Sequence, residues 1–124
     1  MIVCTAGLVG AAFASEDAPA DHKKWMKDLG AQMGAMRKNV DVEKNATEMQ
    51  AVLKQVGAFW KARSSEDGMK AYKESFQAAT QIAKAAQASD KEAQTAGMKM
   101  LGAGCKGCHD AHREKVSETE YKIK

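Results

Sequence analysis

The chain has 124 residues, with 19 Lys and Arg against 16 Asp and Glu and a formal net charge of +3. So mild an excess excludes the basic footprint that nucleic acid binding requires, and no nucleic-acid partner is expected. Three Cys are too few for a disulfide scaffold, while one Pro, eight Met, few aromatic residues and abundant Ala and Lys suit a single compact helical domain.

The first fourteen residues carry no charge, and Ile2 to Ala14 is an apolar and small-residue run ending in Ala12-Phe13-Ala14. This pattern resembles the apolar core and A-x-A cleavage site of a secretory signal peptide, although a basic flank is missing. The run is shorter than the roughly 20 residues that span a bilayer, so stable membrane insertion is not expected. Cleavage after Ala14 leaves a mature domain over residues 15–124 whose only cysteines are Cys105 and Cys108, since Cys4 is removed with the leader.

Four blocks follow in which apolar residues recur at spacings of three and four, the pattern of helices that bury one stripe. The first spans about residues 20–39 and carries His22, Trp25, Met26, Leu29, Met33 and Met36. The second, about 42–63, carries Ala46, Met49, Leu53, Val56 and Trp60; the third, about 67–88, carries Met69, Tyr72, Phe76, Ala79, Ala83 and Ala86. The fourth, about 90–117, carries Met98, Leu101, Cys105, Cys108 and His112. Asp21 is the expected cap of the first helix, Ser89-Asp90-Lys91-Glu92 reads as a capping box opening the last, and Ser64 to Gly68 separates the middle pair. The charged tail from Glu114 to Lys124 reads as a solvated helix end. Helices of about twenty residues joined by short loops imply an all-α, antiparallel up-down-up-down four-helix bundle.

The fourth block contains Cys105-Lys106-Gly107-Cys108-His109. C-x-x-C-H is the spacing of c-type haem attachment. Thiols three residues apart lie on one side of a helical turn and can add to the two vinyl groups of one porphyrin. The adjacent imidazole is then held against the iron. Zinc needs four ligands and only His112 and His22 remain to complete the pair. A thioredoxin-like dithiol belongs after a strand in a βαβ unit, and no such pattern is present. Covalent haem in an exported chain points to the periplasm.

With the motif on the last of four helices, and Trp25-Met26-Lys27-Asp28-Leu29-Gly30 on the first, the chain resembles the class II c-type cytochromes, which include cytochrome c′ and the low-spin cytochrome c-556 branch. The resemblance implies one haem c, with Cys105 and Cys108 forming the thioethers and His109 as proximal iron ligand. It matches Met26 to the first-helix methionine that binds iron from the opposite side in the c-556 branch. In other members this position is apolar and leaves the iron five-coordinate. Arg113 corresponds to an arginine near the haem, where a propionate contact is expected. Met33 and Met36 read as core methionines, His22 as exposed or hydrogen-bonded, and His112 as flanking structure. One departure concerns the third helix, which has Lys70 and Tyr72 where a tryptophan is expected. The function implied is non-enzymatic transfer of single electrons to redox partner proteins, docking near Lys23, Lys24, Lys27 and Lys106; a homodimer is common in the family. The alternative is a five-coordinate cytochrome c′ that binds nitric oxide or carbon monoxide.

Overall fold

A computed structural model describes residues 16, 17, 19–115 and 121–123; the expected leader over residues 1–14 lies outside them. Four helices dominate: α1 (Ala20–Arg37), α2 (Val42–Ala62), α3 (Glu66–Gln87) and α4 (Lys91–His112). The bundle is the all-α architecture expected from periodicity. Backbone packing is closest between α1 and α2, α2 and α3, and α3 and α4, so α3 is the central partner of both the second and the last helix.

The stripe on α2 explains the core directly. Ala46, Met49, Leu53, Val56 and Trp60 are all buried, and Met36, Ile82 and Leu101 meet them from the other three helices. Small residues bring α3 and α4 together: Ala71, Ser75, Ala78 and Ala79 line α3, and Gly97 and Gly104 answer them on α4. A Cβ at Gly104 would meet the Ser75 hydroxyl and lie 3.1 Å from the Ser75 nitrogen, so this helix pair has no space for a larger residue.

Several boundaries differ from expectation. Pro19 stands at the N-cap of α1 and makes no side-chain cap, while Asp21 lies inside the first turn, where its charge faces the positive helix end. At α4 the cap is Asp90, which accepts a 3.1 Å hydrogen bond from the Ala93 N–H; Ser89 is displaced into left-handed backbone at φ 54°. Gly68 falls inside α3, and Ser65 caps that helix by accepting from the Gly68 N–H at 3.0 Å.

The larger correction concerns the C-terminal tail. Helix α4 stops at His112, and Arg113 turns extended at φ −106° and ψ 121°. Strand β2 (Arg113–Lys115) then pairs antiparallel with β3 (Tyr121–Ile123), which pairs on its other edge with β1 (Glu16–Asp17). Ile123 is buried against Val56 and Trp60, so the tail is anchored at its one aliphatic residue among the described positions instead of extending as a solvated helix.

Leu101 is fully buried. Leu101→Ala should therefore cost about 2–5 kcal/mol, and Gly104→Ala about 1–3 kcal/mol through overpacking, both read as shifts of the denaturant midpoint.

Candidate functional site

Cys105 and Cys108 lie one turn apart near the end of α4, both half-buried and both free. Their face follows from the packing of the helix: Gly97, Leu101 and Gly104 are its buried residues, and the helical repeat carries Cys108 onto that side and Cys105 onto its flank. Cys105 joins the main core beside Leu29 and Met33. Cys108 joins a second cluster with Trp25, Met26, Leu29, Phe59 and Met69 around Val56, Trp60 and Ile123.

Burial raises the pKa of both thiols. The Ser75 hydroxyl, hydrogen-bonded to the Cys105 sulfur, offsets part of the effect there, while Cys108 is pushed up to about 11, with Cys105 adding to its burial. Both therefore stay protonated at neutral pH, and their place near a helix C-terminus works in the same direction. A dithiol oxidoreductase needs the opposite, a thiolate stabilised near neutrality, so the thioredoxin-like reading loses its chemical basis. Zinc fares no better: among the described residues no three His, Cys, Asp or Glu side chains gather closely enough to hold a metal ion.

His109 is half-buried beside this pair, and desolvation followed by the Arg113 charge lowers its pKa. It is thus neutral at pH 7, the form that binds a metal. The Arg113 guanidinium lies 3.5 Å from His109 Nδ1. At that length it is a charge contact more than a hydrogen bond. Lys106 is turned away and exposed, paired with Asp110 at 2.7 Å.

The comparisons with known proteins bear on the same segment. Residues 57–113, from the end of α2 through α3 and α4, match the family model described as cytochrome C'. Over these residues the chain is similar to the cytochrome c′ family. No curated protein and no solved structure gives a significant match. The matched segment contains the whole of Cys105-Lys106-Gly107-Cys108-His109, whereas Met26 lies on α1, outside it.

The residues around the motif fit a covalently held porphyrin. Two protonated thiols sit in an apolar wall, a neutral imidazole stands next to them, and Met26 packs in the same cluster as Cys108 from the opposite helix. Met33 packs at the edge of the main core and Met36 is 2% exposed within it, both away from the Cys108 cluster.

Two side chains stand differently from expectation. His22 is 7% exposed, packed among Trp25, Phe59 and Trp60 at ring-centroid distances of 4.6–6.0 Å, and its buried Nδ1 has no hydrogen-bond partner among the described residues. His112 stacks on the Trp60 indole at 4.1 Å and is hydrogen-bonded to Ser65 Oγ at 2.8 Å. Trp60, Phe59, Ser65 and Ser75 were not readable as site residues. They lie on α2, its following turn and α3, and only packing brings them to the motif. Among the described residues the Trp60 indole N–H has no geometrically ideal hydrogen-bond partner, although it lies near enough to the Cys108 sulfur to hold that thiol down slightly.

Desolvation, with smaller contributions from Arg63 and His109, lowers the pKa of His22 below its ordinary 6.5. The unfolded chain then binds the proton more readily, so this contribution to stability is complete above about pH 6.5 and is lost as pH falls toward the folded value. His109 acts with the same sign. Urea midpoints measured from pH 7.5 down to 5 should fall for the native sequence, and fall less for His22→Phe, which keeps the aromatic packing without the proton.

Proposed function

We propose that the chain is a periplasmic haem c protein that carries single electrons, with His109 and Met26 as the two axial ligands. The observation that carries this reading is the apolar cluster of Val56, Trp60 and Ile123, against which both Met26 from α1 and Cys108 from α4 pack, with His109 the next residue after Cys108. When bound, the haem would supply one-electron exchange at its iron. The protein's own residues do the rest.

Cys105 and Cys108 tether the group, and the helix pair α3 and α4 keeps their turn in place. His109 and Met26 approach from opposite helices, and a thioether ligand favours the ferrous state and so raises the potential. Held by both His109 and Met26, the iron would have no open position for a substrate, which supports a carrier over an enzyme. Trp25, Leu29, Phe59 and Trp60 exclude water and lower the local dielectric. Arg113, adjacent to His109 on the exposed side, is placed to meet a propionate while it holds the imidazole neutral.

The domain extends from residue 15 to 124, preceded by an export leader over residues 1–14. No helix among the described residues is long and apolar enough to cross a membrane. Lys23, Lys24 and Lys27 are exposed on the outer flank of α1, close in sequence to Met26, and offer a small cationic face for weak docking of redox partners or a second copy of the chain.

Protein matured with haem tests the reading by its absorption spectrum. Expected is a narrow reduced α-band with a weak sulfur-to-iron band at long wavelength in the oxidised form. Met26→Ala should turn the spectrum high-spin and admit carbon monoxide. Met33→Ala, at a half-buried position, should keep it low-spin and cost about 2 kcal/mol or less. A native protein that is already high-spin and shifts with carbon monoxide would replace electron transfer with gas binding.

A further inference from the structure

His112 is the last residue of α4, three positions after His109 and four after Cys108. A final helical turn lacks onward hydrogen bonds and ordinarily frays, which would leave a ligand in that turn poorly fixed. Here a stack and a hydrogen bond to described residues hold it. The imidazole lies flat on the Trp60 indole, with ring centroids 4.1 Å apart and planes 26° apart, and its Nε2 shares a 2.8 Å hydrogen bond with Ser65 Oγ.

Both anchors are themselves immobile. Trp60 is 2% exposed, wedged against Phe59 and the backbone of α3 at Gly68, where a Cβ would collide with the indole. Ser65 is the cap of α3 and accepts from the Gly68 N–H through the same hydroxyl that meets His112. The end of α2, the start of α3 and the end of α4 are thus tied through one ring. Simple packing would need the stack alone. A directional hydrogen bond in addition to it fixes the rotation of the ring, and with it the path of the backbone through the turn. That turn also sets Arg113, the next residue, against His109 Nδ1.

We propose that His112 is a positioning residue for the proximal ligand: stacked on Trp60 and hydrogen-bonded to Ser65, it fixes the last turn of α4 and so the plane in which His109 meets the haem iron. The inference rests on the reading of His109 as that ligand. It assigns a task to a residue that sequence reasoning treated as flanking structure.

The test uses the oxidised, haem-loaded protein and reads the order of its haem-methyl proton resonances and its low-spin g-values, both of which report the orientation of the axial ligands. His112→Phe keeps the stack and removes the hydrogen bond; Ser65→Ala removes the same bond from the other side. Both should shift the pattern in the same direction, and the double variant should shift it no further, because the two changes cut one interaction. His112→Ala should shift it most, and Ser65→Thr should restore the native pattern even where Ser65→Ala folds poorly. Variants that melt earlier while their resonances and g-values stay native would overturn the proposal, as would additive shifts in the double variant. A His109→Ala protein that keeps the native low-spin spectrum would instead remove the ligand assignment itself, a failure separate from that of the His112 variants.

Discussion

The close approach of α4 to α3 is the constraint on which the site depends. Gly97 and Gly104 are seven residues apart and therefore on one side of α4, and both press on α3 without room for a side chain. This fixes the rotation of α4 about its own axis. Once that rotation is set, the helical repeat determines where the motif points: Cys108 faces into the bundle, Cys105 lies on the flank beside it, and His109 is turned further toward the exposed side. A rotation by one residue would move the thiols about 100° around the helix and separate them from the wall they share with α1.

The second organising feature is the aromatic knot beneath the motif. His22, Trp25, Phe59, Trp60 and His112 come from three helices and meet ring to ring. The Arg63 guanidinium lies 4.1 Å from the centroid of the half-buried Phe59 ring and closes the assembly on its solvent side. Such an assembly combines large buried area with few rotatable bonds, so it is stiff for its size. Stiffness at this end of the bundle suits one-electron exchange, where movement of the surroundings between oxidation states adds to the barrier. At the opposite end, the groove lined by Asn39, Glu43, Lys91 and Gln94 is polar and linked by exposed side-chain hydrogen bonds. The chemistry is concentrated where the packing is dense.

How much of this was legible in the sequence depended on the range of the interaction. The stripe from Ala46 to Trp60 encodes its own burial, because helical periodicity is a local property, and the helix limits came within a few residues for the same reason. The motif is local too, and its cysteines and histidine are placed together as read. Asp21 was misjudged as a cap because the chain enters α1 through Pro19, whose φ already suits a helix start. The burial of His22 was not readable: an imidazole on an apolar stripe carries no mark of whether a neighbour satisfies it. Ser75 and Ser65 look like ordinary surface serines until α3 is packed against α4. The tail was misread because its charges outnumber its apolar residues, yet a single buried Ile123 together with strand pairing outweighs the helical reading.

The small sheet at the end of the bundle has a topological meaning. Glu16 and Ile123 are Cα partners across β1 and β3, so the segments that flank the four helices already touch. The turn between α1 and α2 holds Asn39 at φ 57° and Asp41 at φ 43°, in the left-handed region that Asn and Asp tolerate better than other non-glycine residues. A short linker joining the sheet ends and a break in that turn would therefore produce a circularly permuted chain. It would keep every helix whole. The haem motif would then lie in the middle of the polypeptide instead of near its end, and the fold would have lost nothing but the order in which its helices are synthesised.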